Sequence, residues 1–401
     1  MAGSEPATVT GFRLGVTSAG IKSPGRRDLV VMELAPGSTV AASFTRNAFC
    51  AAPVHVARQH WQSGPIRYLL VNTGNANAGT GERGMTDAID SCSALAELAD
   101  VDAGAVMPFS TGVIGEFMPM DRLRAGMEPA LANLSETHWP EAAEGILTTD
   151  TRPKLASRRV EIGGTPVVLT GMAKGAGMIR PNMATMLAFV ATDAAIPGSV
   201  LQALWSAAVE QSFNRVTVDG DTSTNDAAVL VATGAADHVQ VDDANADELQ
   251  AFREALMSLS LELAHALVRD GEGASKFVAV NVTGALDESE ALQAAYTIAH
   301  SPLVKTALFA SDPNWGRLLA ALGRAGLSDL DVEKVELSLN GVLIATRGGR
   351  APDYTEEAGQ AAMAPTDIEI RFALHRGDAQ ATVWTSDLSY DYVRINAEYR
   401  T

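Results

Sequence analysis

Three turn signals constrain the fold of this chain more than any other feature of its sequence. Gly163-Gly164 lies between β-branched residues of the segment 160–170, whereas Asn340-Gly341 and Gly377-Asp378 each follow a segment in which apolar and polar residues alternate. Such residue pairs tolerate the positive φ angles of tight hairpin turns. The sequence therefore predicts three antiparallel hairpins, one in the middle of the chain and two in its C-terminal part.

Amphipathic helices are predicted between the strands. Apolar residues at positions 249, 252, 256, 259 and 263 step by three and four, and Asn245 with Glu248 has the spacing of a capping box. Further helices are predicted from Met85, over residues 120–134 and from about Ser199. Strands are predicted over 68–71, 227–232 and 278–282, and the segment 11–60 is predicted to contain strands and turns. The remaining predictions are a polar loop over 72–79, a small-residue turn over 107–115 and a polar cluster over 219–226. Together they indicate an α/β fold of α+β layers, in which helices cover the sheets.

Length and charge limit the class of protein. A chain of 401 residues, 47% of them hydrophobic, can bury a large core, and its length suits two or three domains or one large α/β unit. The formal net charge of -18 argues against nucleic acid or an anionic membrane as a partner. Because the sequence has neither a signal-peptide pattern nor an apolar run long enough to cross a bilayer, we expect a cytoplasmic protein.

Metal and thiol chemistry are not indicated. The seven histidines are scattered without the close pairs that zinc or iron sites favour, and no Gly-x-Ser-x-Gly elbow occurs. Cys50 and Cys92 lie among apolar neighbours without metal-ligand or redox spacing. Gly79, Gly81 and Gly84 match the G-x-G-x-x-G pattern of dinucleotide sites, but a polar insert separates them from the preceding strand. A glycine turn before a helix is the alternative interpretation.

The segment 171–193, GMAKGAGMIRPNMATMLAFVATD, sets polar residues and glycines into an apolar run. Such departures from local rules are common at functional sites. A threonine hydroxyl needs an adjacent base to act as a nucleophile. If the chain is cut before Thr185, the freed α-amine, with an ordinary pKa of about 7.7–8.0, supplies that base. The residues alone leave open a second interpretation, a strand threonine packed between Ala184 and Met186.

A resemblance favours the first interpretation. KGAGMIRPNMATMLAF resembles the self-cleavage site of the glutamate N-acetyltransferases, also called ornithine acetyltransferases, of arginine biosynthesis. Further segments similar to motifs of this family are VNTGNANAGTG, STGVIGE, TTDTRPK, DTSTNDAAV, DGEGASKF, HSPLVKTALF, SDPNWGR and YVRINAEYRT. They follow one another over essentially the whole chain. The glycines of the dinucleotide pattern lie in and just after the first of these segments, which favours a family loop over a nucleotide site.

The resemblance implies cleavage between Ala184 and Thr185, which gives an α chain of residues 1–184 and a β chain of residues 185–401. It also implies that Thr185 is the nucleophile and that Thr111 and Gly112 form the oxyanion hole. The substrate-binding residues that it implies are Thr148, Lys174, Thr185, Glu272, Asn396 and Thr401. Thr149 and Thr151 lie close enough to Thr148 that the choice among the three needs coordinates.

The activity implied is a ping-pong transfer of acetyl from N-acetylornithine to glutamate, which releases ornithine and N-acetylglutamate. No metal and no bound cofactor are implied, and acetyl-CoA is a second donor in bifunctional members. The implied fold is a layered αββα sandwich of self-cleaving acetyltransferases and aminopeptidases, which resembles N-terminal-nucleophile hydrolases. The implied assembly is a dimer of α–β pairs, a heterotetramer, in which Asn396 and Thr401 close the site of the neighbouring subunit.

Two alternatives stay open. A related aminopeptidase or amidohydrolase would use a nucleophile at the same position but give the acyl group to water. A nucleotide-binding oxidoreductase would depend on Gly79, Gly81 and Gly84 and would bind NAD. Hydrolysis without an acceptor amine distinguishes the first, and a titration with NAD distinguishes the second.

Overall fold

The computed structural model describes residues 6–180 and 186–398. Its strands are β1 (Phe12–Thr17), β2 (Leu29–Leu34), β3 (Thr39–Phe44), β4 (Tyr68–Asn75), β5 (Val106–Val113), β6 (Lys154–Ile162), β7 (Thr165–Lys174), β8 (Leu187–Thr192), β9 (Val216–Thr217), β10 (Ala227–Ala232), β11 (Phe277–Ala285), β12 (Glu336–Leu339), β13 (Val342–Thr346), β14 (Gly349–Arg350), β15 (Asp367–Ala373) and β16 (Ala379–Ser386).

Its α-helices are α1 (Ala52–Ser63), α2 (Gly81–Ala99), α3 (Met120–Ala132), α4 (Trp139–Gly145), α5 (Gly198–Gln211), α6 (Gln250–Arg269), α7 (Glu288–Ala299), α8 (Pro302–Phe309), α9 (Trp315–Gly323), α10 (Glu356–Met363) and α11 (Tyr390–Glu398). The described residues form two compact units. Of the described residues, the first unit contains 6–175, 186–214 and 222–267, and the second contains 176–180, 215–221 and 268–398. No helix in the described part of the chain is long and apolar enough to span a membrane.

The first unit contains two sheets. One has the strand order β1-β2-β4-β5 and the other β3-β10-β8-β7-β6. Neighbouring strands are antiparallel except for the parallel pairs β4–β5 and β8–β10. The inner faces of the two sheets share one hydrophobic core, in which the rings of Phe109 and Phe189 meet edge to face at 5.2 Å.

Helices cover the outer faces of both sheets in this unit. Alternate residues of β2 divide between two cores, so that Val30 and Met32 face the second sheet while Leu29 and Val31 pack with residues of α2 and α3. This explains why β2 is apolar on both faces. On the other sheet, the indole of Trp205 in α5 donates a hydrogen bond to a β10 carbonyl, and α6 also packs on this sheet. The predicted αββα layering is confirmed for this unit.

The second unit is built on a seven-stranded sheet with the order β14-β13-β12-β15-β11-β16-β9. In β15, Ile368, Ile370 and Phe372 are buried while the residues between them are exposed, as the alternating pattern predicts. The buried residues join one core with residues of α7, α8, α9 and α10. One face of this sheet therefore carries the helices and the core of the unit.

Two of the three predicted hairpins are confirmed. Gly163 and Gly164 have φ angles of 57° and 83° between β6 and β7, and Asn340 and Gly341 have φ angles of 43° and 81° between β12 and β13. The third hairpin is wrong. β15 and β16 both pair with β11, which lies between them. Local turn chemistry predicts where a strand ends, but it does not reveal a distant strand that inserts between two neighbours.

Other predicted boundaries differ from the structure. The helices at 120–134 and from about Ser199 and the strand over 227–232 are confirmed, as is the helix predicted from Met85, which begins earlier, at Gly81. Residues 72–75 continue β4, and most of 107–115 forms β5 rather than a turn. The segment predicted as strands and turns over 11–60 ends in α1. The capping box is absent, because a 3-10 helix begins after Ala246 without a side-chain cap.

Candidate active site

The ends of β5 and β7 bring two of the predicted site residues together in the first unit. Lys174 is the last residue of β7 and is only 7% exposed. Its Nζ donates a hydrogen bond to Oγ1 of Thr111 in β5, over 3.0 Å. Lysine has donors but no acceptor, so the Thr111 oxygen accepts here and its own proton points elsewhere. Thr111 is thus a hydroxyl donor held beside a cation.

Gly112 follows at a point where the β4–β5 ladder is irregular. Asn75 is in register with both Thr111 and Val113, and Gly112 has a φ of 138°. A Cβ atom added to Gly112 would lie 2.3 Å from the carbonyl carbon of Gly74 and 2.5 Å from the backbone nitrogen of Asn75. Both the angle and the close approach require glycine. The predicted oxyanion-hole pair is therefore part of a tight backbone corner.

A buried carboxylate organises the surroundings of Lys174. Asp150 accepts hydrogen bonds from Nζ of Lys154 and from the backbone N–H of Gly175, each over 2.6 Å, and from the N–H of Thr148 over 3.0 Å. Burial raises the pKa of Asp150, but the charges of Lys174 and Lys154, together with the hydrogen bonds from Lys154 and Gly175, outweigh burial and lower the pKa to about 2. Two lysines and one carboxylate give this cluster a formal charge of +1.

The cluster also places Thr148. Its N–H is bound by Asp150, and its carbonyl accepts a hydrogen bond from Arg26. Thr148 is partly buried, whereas Thr151 is exposed. Thr148 is therefore tied to the same carboxylate as Gly175, the residue after Lys174. This is the position that the sequence predicts for a substrate contact.

The buried side-chain amides of Asn72 and Asn75 support the β4–β5 corner through hydrogen bonds. The Ser110 hydroxyl donates to Oδ1 of Asn72 over 2.5 Å, and Nδ2 of Asn72 donates to the Asn75 carbonyl over 2.9 Å. Nδ2 of Asn75 in turn donates to the carbonyls of Glu116 and Phe117. The Asn-rich segment predicted as a loop is thus a hydrogen-bonded support for the corner that contains Gly112.

The second unit brings another pair of predicted residues together. Nδ2 of Asn396 in α11 donates to Oε2 of Glu272 over 2.7 Å, and Glu272 is only 8% exposed. The backbone N–H of Glu272 donates to the carbonyl of Ala176 over 2.9 Å. A Cβ atom on Gly177 would lie 2.5 Å from Oε2 of Glu272, so this carboxylate packs directly against the glycine.

Asp219 holds the next residues of the same segment. Its carboxylate accepts the N–H of Met178 over 2.7 Å and the N–H of Ile179 over 2.9 Å, and the Tyr392 hydroxyl lies 3.4 Å away. Burial raises the pKa of Asp219, and the charges of Asp221 and Glu272 add to this effect. Burial and the Asp219 carboxylate likewise raise the pKa of Tyr392.

Three predicted residues, Ala184, Thr185 and Thr401, lie outside the described residues. The described chain resumes at Met186, whose carbonyl accepts the N–H of Ala227 over 3.1 Å. The next residue, Leu187, begins β8 and is in register with Lys174 of β7. In sequence, the predicted nucleophile therefore stands two residues before the β8 partner of Lys174.

The glycine pattern at 79–84 has a structural explanation. β4, α2 and β5 do form a βαβ unit of neighbouring parallel strands, which the sequence did not indicate. Gly79 and Gly81 take positive φ angles of 69° and 61° around the start of α2. A Cβ atom on Gly84 would lie 1.8 Å from Oγ1 of Thr80. Gly79 precedes α2 and Gly81 and Gly84 lie in its first turn, so the backbone and packing at the start of this helix explain all three glycines.

Sequence reasoning missed Asp150 and Asp219 as organising residues. Asp150 lies inside the TTDTRPK segment, and Asp219 is the first residue of the polar cluster 219–226. The i,i+4 spacing of Asp150 and Lys154 is the local signal that points to an ion pair. Within the described ranges, no group of three or more His, Cys, Asp and Glu side chains could hold a metal ion.

Comparisons with known proteins give one consistent result. The ArgJ family model matches residues 13–401. The arginine biosynthesis bifunctional protein ArgJ of Pseudomonas syringae pv. tomato is 57% identical over 98% of this chain and 97% of its own length. The protein of the same name from Methylococcus capsulatus is also 57% identical, over 98% of this chain and 96% of its own length. Ornithine acetyltransferase of Mycobacterium tuberculosis, solved in complex with ornithine, is 35% identical over 43% of this chain and 93% of that chain, with a TM-score of 0.39.

Proposed function

Because the chain belongs to the ArgJ family, we propose that it transfers the acetyl group of N-acetyl-L-ornithine to L-glutamate in arginine biosynthesis. The observation that carries this conclusion is the 57% identity to an arginine biosynthesis bifunctional protein over 98% of the chain. The enzyme is thus an acyltransferase. Its proposed location is the cytoplasm.

The first half-reaction acetylates Thr185. Its hydroxyl oxygen attacks the acetyl carbonyl carbon while its α-amine takes the hydroxyl proton. The carbon–nitrogen bond then breaks, and the α-amine gives the proton to the departing amino group of ornithine. The product is an acetyl ester on Thr185.

The second half-reaction returns the enzyme to its starting state. The amino group of glutamate attacks the ester carbonyl, the carbon–oxygen bond breaks, and the proton of the attacking amine passes through the α-amine to the Thr185 oxygen. N-acetylglutamate leaves. Every proton and bond is accounted for by the two substrates and the enzyme, so the scheme requires neither a metal nor a bound cofactor.

Thr111 and Gly112 are the proposed donors to the negative oxygen that forms in both halves. The support for this role is the bond from Lys174, which turns the Thr111 proton away from the lysine and places a cation beside the donor. A preorganised donor of this kind contributes about 3 kcal/mol to transition-state stabilisation.

The charges of each unit suit the polar groups of the substrates. N-acetylornithine carries an α-carboxylate and a side-chain ammonium, and glutamate carries carboxylates and an ammonium. We propose that Lys174, with Thr148, binds a substrate carboxylate and that Glu272, with Asn396, binds a substrate ammonium. The cationic cluster around Asp150 supports the first assignment, since it is a local positive charge on a chain of net charge -18.

We propose that the precursor cleaves itself between Ala184 and Thr185, which frees the α-amine used in both halves. The α chain is then residues 1–184 and the β chain residues 185–401, and the proposed assembly is a dimer of α–β pairs in which Thr401 also contacts substrate. Acetyl-CoA is the proposed second donor, which acetylates Thr185 with loss of coenzyme A.

Intact-mass analysis combined with an acetyl-transfer assay tests this function. The wild type should give two chains, one of them starting at Thr185, and should form N-acetylglutamate from N-acetylornithine and glutamate. Thr185→Ala should stay full-length and inactive, whereas Thr185→Ser, which keeps a hydroxyl, should still cleave. A wild type that stays full-length would contradict the cleavage, and one that only hydrolyses N-acetylornithine would contradict the transfer.

A further inference from the structure

A buried asparagine in the first unit bridges the residue that follows β4 and a residue of β5 next to the predicted oxyanion hole. Asn225 is 6% exposed, and its Nδ2 donates to the carbonyl of Ala76 over 2.6 Å and to the carbonyl of Ser110 over 2.9 Å. Ala76 follows the last residue of β4, and Ser110 lies in β5. One amide therefore binds both sides of the corner that contains Gly112.

The bond to Ser110 acts on the next residue directly. The Ser110 carbonyl and the Thr111 N–H belong to one planar peptide group, so that fixing the carbonyl fixes the plane that leads into Thr111. The bond to Ala76 holds the chain just after Asn75, and Asn75 packs against Gly112. The same amide therefore also restrains the β4 side of the corner.

One hydroxyl holds the side-chain amide of Asn225 in this orientation, and a second holds its backbone. Thr224 Oγ1 donates to Oδ1 of Asn225 over 2.5 Å, and the Ser223 hydroxyl accepts the Asn225 backbone N–H over 3.1 Å. Because Oδ1 accepts from a hydroxyl, the amide cannot flip without losing this bond and turning its oxygen toward two carbonyls. The orientation of the donor is therefore determined by Thr224 together with the two carbonyls.

The backbone of the same segment leads into β10, which pairs with β8. Ala227 is in parallel register with Leu187, and its N–H donates to the Met186 carbonyl. Asn225 stands two residues before Ala227, as Thr185 stands two residues before Leu187. Asn225 thus stands in the chain just before the β8–β10 pair, while its side chain binds the β4–β5 corner.

We propose that Asn225 is a positioning residue that sets the β8–β10 pair, into which Thr185 leads, against the Thr111–Gly112 corner. The inference rests on the proposed function, since it takes Thr185 as the nucleophile. Transferring an acetyl group requires the nucleophile and the oxyanion donors to be held in register, and a misplacement of about 1 Å can cost about 100-fold in rate. Asn225 itself does not touch the substrate in this scheme.

The test compares four purified variants with the wild type in acetyl transfer from N-acetylornithine to glutamate. Asn225→Asp keeps the shape but presents an oxygen to two carbonyls, and it should lower kcat by about 100-fold. Thr224→Val removes the hydroxyl that orients the amide and should lower kcat by about tenfold with little change in KM, whereas Thr224→Ser should restore kcat to within about threefold of the wild type.

Thr233→Val is the matched control. It removes a buried hydroxyl, bound to the Thr10 carbonyl over 2.7 Å, just beyond the opposite end of β10. Its thermal midpoint should fall about as much as that of Thr224→Val, while its kcat should stay within about threefold of the wild type.

Equal kcat values for Thr224→Val and Thr233→Val would overturn the role of Asn225, and so would a Thr224→Val variant that changes only KM. The proposed function would still stand in either case if the wild type transfers acetyl. A wild type without acetyl transfer would overturn both. Because Thr224→Val leaves Asn225 in place, the test holds even where Asn225→Asp does not fold.

Discussion

The backbone restricts the identity of Gly112 in two ways. Its φ of 138° is uncommon for residues with a side chain, and a Cβ atom would lie within 2.5 Å of two backbone atoms of β4. Relief of that contact requires β4 and β5 to move apart at the proposed oxyanion hole. We therefore expect Gly112→Ala to lower kcat for acetyl transfer by at least about 100-fold, measured as formation of N-acetylglutamate.

Gly115→Ala is the control for this change. Gly115 also has a positive φ, of 84°, but a Cβ atom added there has no neighbour within 4 Å. It shares the conformational strain without the clash, so its kcat should stay within a few-fold of the wild type. Equal losses in the two variants would show that strain, and not the corner, controls the rate.

Asp150 leads to a prediction about pH. Its folded pKa, about 2, lies below the unfolded value of about 3.9, so the stability it contributes is complete above the unfolded value and is lost as pH falls through the folded value. Asp150→Asn removes the negative charge of the buried pair with Lys154 and should cost about 3–5 kcal/mol at pH 6. The difference between wild type and variant should narrow by about 1 kcal/mol at pH 3.

Urea unfolding at the two pH values measures this difference. Glu262→Gln is a suitable control, because Glu262 pairs with Arg158 at the surface and is 53% exposed. Its difference from the wild type should be small at both pH values. A difference for Asp150→Asn that widens in acid would contradict the assigned direction of the pKa shift.

At the scale of elements, hydrogen bonds with residues 217–219 of the second unit hold the segment 176–180, and we call this set of bonds the clamp. Besides the two bonds to Asp219, the Ile179 carbonyl accepts the Val218 N–H over 2.7 Å and the Thr217 hydroxyl over 2.9 Å. Met178 takes a φ of 51° within this clamp. These contacts hold Met178 and Ile179, which precede the proposed cleavage junction in sequence by a few residues.

Removal of the clamp should therefore slow self-cleavage. Asp219→Ala should leave precursor uncleaved after the time in which the wild type is fully processed, because the N–H groups of Met178 and Ile179 lose their acceptor. Tyr392→Phe removes only the hydroxyl that contacts Asp219 and should cleave at close to the wild-type rate. Time courses on denaturing gels measure both, and equal rates for Asp219→Ala and wild type would contradict the role of the clamp.

The strands and hairpins also show which parts of the fold local sequence patterns can predict. The alternation in β15 predicted both a strand and its buried face, and the paired turn residues predicted two hairpins, because these features depend on neighbours in the chain. The place of β11 between β15 and β16 depends on pairing across about 90 residues, which no turn residue reports. β5 was missed because its Ser-Thr-Gly end resembles a turn, while its neighbours in the sheet make it a strand.

At the scale of the whole molecule, the candidate site is built from contacts that sequence spacing does not contain. Thr111 and Lys174 are 63 residues apart and meet at 3.0 Å, and Asn225 reaches Ser110 across 115 residues. Family resemblance singled out the first pair. It did not single out Asp150 or Asn225, since buried partners of a site residue become visible only when the fold brings them together.

The net charge of -18 leads to a prediction about salt. At neutral pH glutamate has two carboxylates and one ammonium, a net charge of -1, whereas N-acetylornithine has one of each and is neutral overall. The acidic molecule therefore repels glutamate over a range that shrinks from about 30 Å at 0.01 M salt to about 8 Å at 0.15 M. The contacts of the buried cluster around Asp150 are screened much less.

We expect kcat/KM for glutamate to rise about twofold between these salt concentrations, while kcat/KM for N-acetylornithine changes little. Initial rates over a matrix of both substrates separate the two constants, and the parallel lines of a ping-pong mechanism should appear at both salt concentrations. A sucrose control distinguishes ionic screening from a general effect of solutes. A fall in kcat/KM for glutamate with salt would show that local cations, rather than the overall acidic charge, govern its capture.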